Sequence, residues 1–334
     1  TELMAAVRDI LYNVRITSTV GDMDVDVKGI AFDSRKVEPG FLFVAVKGTQ
    51  ADGHAFIDKS ITLGATVIVC NSLPEATNNS VTYVTVKDSA LALGVICGNF
   101  YGNPSKKLKL VGVTGTNGKT TVATLLFQLF TAMGKKCGLL STVENRIVDK
   151  VLPATHTTPD PIQINLLLNQ MLEEGCTHAF MEVSSHACAQ GRIEGLHFVG
   201  GLFTNITHDH LDYHHTFESY IRAKKIFFDG LSSDAFALVN VDDKRGMVML
   251  QNTKAKKQTY GIKKMADYRT KVVTNSLDGL ELAMNTRNVW FRLIGDFNAY
   301  NLLCVYSTAL LLGEDEEEVL LRLSSLPGAV GRFE

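Results

Sequence analysis

Seven consecutive residues, Gly115-Thr116-Asn117-Gly118-Lys119-Thr120-Thr121, combine the residue types that hold a phosphate chain. Ahead of them Leu110, Val111 and Val113 form a short apolar, β-branched run, and the residues after Lys119 carry helical apolar spacing. A strand, a glycine loop and a helix start predict backbone N–H groups turned toward an anion, with the partial positive charge of the helix N-terminus behind them. Lys119 then reaches the outer phosphates, and Thr120 offers its hydroxyl to Mg²⁺. The longer phosphate-loop signature has glycine five residues before the Gly-Lys pair; Val113 stands there, so the match is to the shorter form G-x-x-G-K-T.

Other chemistry-bearing residues follow strand-like runs. His178–Val183 is apolar except for Glu182 near its C-terminal end, and is followed by Ser184-Ser185-His186 and then Gln190 and Arg192. Gly200–Ile206 leads into Thr207-His208-Asp209-His210-Leu211-Asp212-Tyr213-His214-His215. In an open parallel sheet the ligand crevice lies beyond the carboxyl ends of the strands, so Glu182, His210 and the loop are expected to converge there. One acidic residue at a strand end is often only a loop cap; sharing a crevice with a phosphate loop, it suits Mg²⁺, directly or through water. His208, His210 and Asp212 also fit the zinc pattern H-x-H-x-D-H, but the next histidine is His214 rather than position 213. Ligand geometry depends on that register, which argues against zinc.

A helix is predicted after this run, with Thr216 as cap and Glu218 in its first turn. Phe217, Tyr220, Ile221, Phe228 and Leu231 form one apolar stripe, with Lys224 in its middle and Lys225 at its edge. An ammonium in a buried stripe must pair with an anion, lower its pKa or be chemically modified, unless its stem carries it outward. A functional lysine near the phosphate site is the expectation. Asn298 and Asn301 lie one turn apart at the start of a later helix; such amides serve as caps, and also suit the hydrogen-bonding edge of a base.

The elements that must position these groups divide the sequence. Residues 1–103 alternate strand-like runs (Phe41–Val46, Thr66–Cys70, Val81–Val86) with helix-like ones (Leu3–Leu11, Phe56–Leu63, Ser89–Phe100), an α/β unit. Its polar turns, Ala31-Phe32-Asp33-Ser34-Arg35 and Lys47-Gly48-Thr49-Gln50-Ala51-Asp52-Gly53-His54, read by themselves as connections. The polar stretch from Tyr101 to Lys107, with Gly102 and Pro104, marks a border. A second domain is expected over 108–331, and 332–334 as the start of a linker.

Composition bounds the partners. The chain of 334 residues is 46% hydrophobic and 20% charged, with a formal net charge of -2, which gives no reason to expect nucleic acid or an anionic membrane surface. Six scattered cysteines form no C-x-x-C pair and are read as buried free thiols of a cytoplasmic protein. No apolar run approaches the length of a membrane span.

Taken together the motifs closely resemble the Mur ligases of peptidoglycan synthesis, in the branch that adds the third amino acid. The resemblance runs from Ile30 to the C-terminal residue. It rests on Asp33-Ser34-Arg35, Gly115–Thr121, His156-Thr157-Thr158-Pro159, Glu182–His186, Asp209–His214, Tyr220-x-x-Ala223-Lys224, Gly295-x-Phe297-Asn298-x-x-Asn301 and Pro327–Glu334. Departures are small: His215 replaces an expected glycine and Phe227 an expected leucine.

The resemblance implies an α/β fold: an N-terminal UDP-binding domain and a central P-loop-type domain whose mainly parallel sheet is flanked by helices. It implies that Phe32, Ser34, Thr49, Gln50 and Ala51 cradle a uridine nucleotide. His156, Thr157, Thr158, Ser184, Gln190 and Arg192 then match positions for the muramoyl-dipeptide. Gly115–Thr121 with Asn298 and Asn301 would hold ATP, and Thr120, Glu182, His210 and Lys224, the last as a carbamate, would hold Mg²⁺. Lys119, Glu182, His210 and Lys224 are the implied catalytic groups. The implied reaction joins an amino acid, diaminopimelate or lysine, to the D-glutamate of UDP-MurNAc-L-Ala-D-Glu through an acyl phosphate, in a monomer.

Neighbouring ligases, the one adding D-Ala-D-Ala and folylpolyglutamate synthetase, fit less well, as does a nucleotide-binding module without chemistry. Because the family's amino-acid-binding C-terminal domain follows the linker, this polypeptide is expected to bind its UDP substrate but to turn over poorly.

Overall fold

The computed structural model describes residues 3–48, 50–207 and 216–327, which form two units. The first comprises Thr1–Ser105 together with Pro159–Asn169 and Gln190–Leu196; the second comprises Lys106–Thr158, Gln170–Ala189 and His197–Glu334.

The strands of the first unit are β1 (Ala5–Ala6), β2 (Ile16–Val20), β3 (Asp26–Val27), β4 (Gly29–Ala31), β5 (Phe41–Val44), β6 (Val67–Cys70) and β7 (Thr82–Val86). Its helices are α1 (Val7–Ile10), α2 (Ile57–Thr62) and α3 (Ser89–Phe100). The main sheet runs β2-β7-β6-β5-β4, parallel except where β2 joins β7 antiparallel. β5 and β6 read as continuous apolar runs and are buried along nearly their whole length, as strands of a parallel sheet interior are. The helix expected over Leu3–Leu11 shrinks to α1, since Ala5 and Ala6 pair with Val27 and Asp26 as strand. β2, Ile-Thr-Ser-Thr-Val, is exposed along its whole length, so its polar residues hid it from a search for buried runs.

The second unit opens with β8 (Lys109–Thr114) and α4 (Lys119–Ala132). There follow β9 (Cys137–Leu140), β10 (Glu144–Ile147), β11 (Lys150–Pro153), α5 (Pro161–Glu173, which begins in the first unit), β12 (His178–Glu182), α6 (Ser185–Ala189) and β13 (Gly200–Phe203). After these come α7 (Phe217–Asp229), β14 (Phe236–Asn240), α8 (Gly246–Met249), β15 (Lys256–Gly261), β16 (Tyr268–Ser276), β17 (Gly279–Met284) and β18 (Arg287–Phe291). α9 (Asp296–Leu311) and α10 (Glu316–Ser325) complete the described chain.

Among the described residues these strands make one sheet in the order β11-β10-β9-β12-β8-β13-β14-β15-β16-β17-β18. From β9 to β16 neighbours are parallel, and the hairpins at either end are antiparallel. β8 lies between β12 and β13, with Glu182 opposite Val113 and Phe203 opposite Thr114. The carboxyl ends of all three strands therefore meet at the residues that follow Thr114.

α4, α9 and α10 bury Leu126, Phe130, Leu302, Val305 and Leu320 in one core with Val111, Val113 and Phe180 of the sheet. Each such side chain contributes roughly 1.5–3 kcal/mol on burial. All six cysteines are buried free thiols. Among the described residues no helix is long and apolar enough to cross a membrane.

Candidate functional site

The loop between β8 and α4 has its shape because two glycines stand where other residues would not fit. Gly115 has φ +151°, and a Cβ there would lie 1.9 Å from Thr204 Oγ1. Gly118, φ +89°, is the left-handed residue that begins α4, and a Cβ there would lie 2.6 Å from Asn301 Oδ1. The first amide groups of a helix have no intrahelical acceptor, so the start of α4 is a donor-rich end.

Asn205, at the carboxyl end of β13, fixes the loop. Its Oδ1 accepts Asn117 N–H at 3.0 Å, its Nδ2 donates to Asn117 O at 3.1 Å, and its carbonyl accepts Thr116 N–H at 2.8 Å. Thr204 Oγ1 donates to Asn117 O at 2.7 Å. From α9, Asn301 Nδ2 donates to Asn298 Oδ1 at 3.1 Å and Asn298 Nδ2 donates to Ile294 O at 2.8 Å. The expected shared face of the two asparagines is thus a hydrogen-bonded pair, which leaves Asn301 Oδ1 toward Gly118.

Lys119 Nζ donates to Gly115 O at 2.7 Å, and Lys224 Nζ donates to the same oxygen at 2.8 Å. Lys224 is 1% exposed, so its stem does not carry the amine to solvent. Its helix, α7, starts as the capping residues predict, with Thr216 Oγ1 accepting Ser219 N–H at 3.0 Å. Tyr220, Ala223, Phe227 and Phe228 are the buried face around Lys224, and its Nζ sits 4.8 Å from the Tyr220 ring centroid. The Tyr220 hydroxyl is 3.0 Å from Thr116 Oγ1. Burial pushes the Lys224 ammonium well below the ordinary lysine range; Lys119 pushes the same way, against a smaller opposing effect of Cys188.

Glu182 ends β12 beside the loop and is 1% exposed. Thr120 Oγ1 donates to its Oε1 at 2.8 Å, Thr142 N–H to its Oε2 at 2.5 Å and Thr142 Oγ1 to its Oε1 at 3.1 Å. Thr157 Oγ1 lies 3.1 Å from Thr142 Oγ1, and Thr158 Oγ1 donates to Glu182 O at 2.9 Å. Ser184 N–H donates back to Thr158 Oγ1 at 3.0 Å, and Ser184 Oγ accepts Ala187 N–H at 3.1 Å. Glu182, Thr120, Thr157, Thr158 and Ser184 thus form one network. His156 is exposed, with Nδ1 3.0 Å from Thr155 Oγ1. Thr121 is half-buried in the first turn of α4.

Thr120 hydroxyl and Glu182 carboxylate are hard oxygen donors, a pair that would suit Mg²⁺. Among the described residues no group of three or more His, Cys, Asp or Glu could hold a metal. His210, with the whole run 208–215, lies outside the described residues, as does Thr49.

In the first unit, Asp33 caps a short turn through Arg35 N–H at 3.0 Å and pairs with the Arg35 guanidinium at 2.7 Å. The Arg35 hydrogen bond holds the Asp33 carboxyl down to about 2. Ser34 is buried and Phe32 exposed. Gln50 and Ala51 are exposed, and Gly48 N–H donates to Ala51 O at 2.8 Å. Gln190 and Arg192 belong to this unit, and Arg192 Nη2 donates to Gln190 Oε1 at 2.6 Å.

Sequence reasoning missed Thr142 and Asn205, the side chains that do most to hold Glu182 and the loop. The signal was available: each follows a parallel strand at its carboxyl end, the rule already used for Glu182.

Residues 113–309 match the Mur ligase middle domain, and residues 26–101 match the Mur ligase family catalytic domain. The chain is 60% identical over 329 residues to the UDP-N-acetylmuramoyl-L-alanyl-D-glutamate–2,6-diaminopimelate ligase of Cytophaga hutchinsonii, covering 98% of this chain and 68% of that protein. It is 54% identical over 325 residues to the ligase of the same name from Phocaeicola vulgatus, covering 97% and 67%. A solved structure of a UDP-N-acetylmuramoyl-L-alanyl-D-glutamate–2,6-diaminopimelate ligase superposes with a TM-score of 0.83 at 27% identity, covering 98% of this chain and 68% of that one. The chain belongs to the Mur ligase family.

Proposed function

We propose that this chain carries the UDP-substrate and ATP sites of a ligase that joins diaminopimelate to the D-glutamate of UDP-MurNAc-L-Ala-D-Glu, acting as a cytoplasmic monomer. The observation that carries the reading is the bond from Thr120 Oγ1 to Glu182 Oε1, 2.8 Å, at the start of a loop-capped helix. It brings a metal-suited carboxylate to the end of a phosphate loop. The choice of diaminopimelate over lysine rests on relatives named for that acceptor.

In the proposed reaction a carboxylate oxygen of the D-glutamyl residue attacks the γ-phosphorus of ATP as the bond to ADP breaks, giving an acyl phosphate. The acceptor amine then attacks the acyl carbon, loses its proton, and inorganic phosphate leaves as the amide forms. Activation is needed because a carboxylate is a poor electrophile. Lys119 and the amide groups of Gly115–Thr121 stabilise charge on the transferring phosphoryl group. Thr120, Glu182 and His210 hold Mg²⁺, which supplies charge neutralisation on the phosphates when bound.

Lys224 takes part as a carbamate. A buried amine kept neutral is a nucleophile for CO₂: the N–C bond forms, one proton leaves, and the product is anionic. The negative charge so formed beside Lys119 at Gly115 O adds an attraction that the neutral amine lacks. Asn298 and Asn301 lie on the adenine side of the loop. Phe32, Ser34, Thr49, Gln50 and Ala51 hold the uridine end of the UDP substrate. His156, Thr157, Thr158, Ser184, Gln190 and Arg192 serve its muramoyl-dipeptide.

Calorimetric titration of the 334-residue chain tests this reading. Both UDP-MurNAc-L-Ala-D-Glu and Mg·ATP are expected to bind. Lys119→Ala should weaken ATP by at least about tenfold, through loss of a charge-assisted contact, and leave the UDP compound unaffected. Binding of ATP alone would favour a nucleotide switch instead.

A further inference from the structure

The end of β14 and the turn after it, Asn240-Val241-Asp242-Asp243, have no part in the chemistry above, yet their side chains reach the segments that hold the phosphate loop. Asn240 Nδ2 donates to Thr204 O at 2.9 Å and Asp243 Oδ2 accepts Ile206 N–H at 3.0 Å. Those bonds bracket Asn205, the residue that fastens Thr116 and Asn117. Asp242 acts toward α9. Its Oδ2 accepts the Tyr300 hydroxyl at 2.7 Å and the N–H groups of Ile262 and Lys263, each at 2.8 Å; its Oδ1 accepts Lys264 N–H at 2.9 Å. Tyr300 immediately precedes Asn301, whose Oδ1 abuts Gly118.

We infer that Asp242 is a positioning residue for the nucleotide phosphates: through Tyr300 it locks the N-terminal end of α9, so that Asn301 and Asn205 together hold residues 115–118 in one conformation. The inference rests on the proposed ATP site. Four donors converge on this carboxylate, and only an ionised acid accepts from all of them without presenting a hydrogen of its own. Burial raises the Asp242 carboxyl, but the bonds from Lys263 N–H, the Tyr300 hydroxyl and the neighbouring amides outweigh it and hold the group below its ordinary value. The Tyr300 hydroxyl is pushed up by burial and by that carboxylate, so it remains a donor. Phosphate recognition by backbone N–H groups needs the loop fixed to a fraction of an ångström, and this turn supplies the support behind both walls.

Two measurements on the full chain test the assignment. Amide hydrogen exchange is followed in Asp242→Asn, in the milder Tyr300→Phe and in the double variant, and Mg·ATP is titrated into each. Exchange over residues 115–121 is expected to rise about tenfold in Asp242→Asn and less in Tyr300→Phe, with β5 and β6 unchanged. ATP should weaken by about the same factor, and the double variant should match Asp242→Asn, because the hydroxyl acts through the same carboxylate. Unchanged loop exchange in both single variants overturns the inference, and so does a uniform rise that includes β5 and β6. A wild-type chain that binds no ATP refutes the proposed function, while loop exchange still decides the positioning role.

Discussion

Lys119 and Lys224 place their Nζ atoms on one acceptor, the carbonyl oxygen of Gly115, at 2.7 and 2.8 Å. A single carbonyl cannot neutralise two ammonium groups, and burial, with Lys119 adding to it, pushes the Lys224 ammonium, 1% exposed, well below the ordinary lysine range. The two amines thus share one acceptor at the start of the glycine loop.

Replacing Lys224 should stabilise the ligand-free protein. Its folded pKa lies below the ordinary lysine value, so between the two the unfolded chain binds a proton that the fold refuses, and stability rises with pH across that window. Lys224→Met removes the buried amine and should gain about 1–3 kcal/mol near pH ~7, shrinking as pH approaches ~10. Urea unfolding in carbonate-free buffer at the two pH values measures it. A loss of stability equal at both would refute the neutral-amine account.

The carbamate proposed at Lys224 is testable by carbon-13 labelling. After incubation with carbon-13 bicarbonate the protein should show a carbonyl resonance that vanishes on acidification and is absent from Lys224→Met. An identical resonance in that variant would assign the label elsewhere.

Glu182 accepts three hydrogen bonds, from Thr120 Oγ1, Thr142 N–H and Thr142 Oγ1. Glu182→Gln keeps the shape but offers one acceptor oxygen, so about 1–3 kcal/mol of stability at neutral pH should be lost. The Mg²⁺ dependence of ATP binding should weaken with it. Denaturant unfolding and ATP titrations with and without Mg²⁺ read the two effects separately, and an unchanged Mg²⁺ response would remove Glu182 from the metal site.

The parts of this arrangement that follow from local chemistry were legible in the sequence. α3 runs from Ser89 to Phe100 as its apolar spacing requires, Thr216 caps α7, and Lys224 is buried where the stripe put it. What escaped depends on tertiary neighbours. Thr142 is an ordinary threonine until β9 is placed beside β12, and Asn205 an ordinary loop asparagine until β13 is placed beside β8. Likewise Pro159–Asn169 and Gln190–Leu196 join the first unit although they lie within the sequence of the second, a partition that no composition shift marks.

His178, at the opposite end of β12 from Glu182, gives a pH signature unrelated to catalysis. Burial, aided by Lys109 and Lys135, lowers it from 6.5 to about 4, and among the described residues its buried Nε2 has no hydrogen-bond partner. The unfolded chain therefore binds a proton that the fold refuses between those values, and stability falls as pH drops through them, by roughly 1–3 kcal/mol. His178→Phe, packed against Phe130 and Phe180, should flatten this limb in thermal unfolding between about pH 4 and 7. An unchanged slope would place the acid sensitivity elsewhere.

The central claim is that this chain recognises the substrate to which the third amino acid is added. Calorimetric titration of UDP-MurNAc-L-Ala-D-Glu against UDP-MurNAc-L-Ala tests it most directly. The account predicts that the D-glutamyl compound binds at least about tenfold more tightly, the contribution of a paired carboxylate. Equal affinity for the two, or no binding of either, would contradict it.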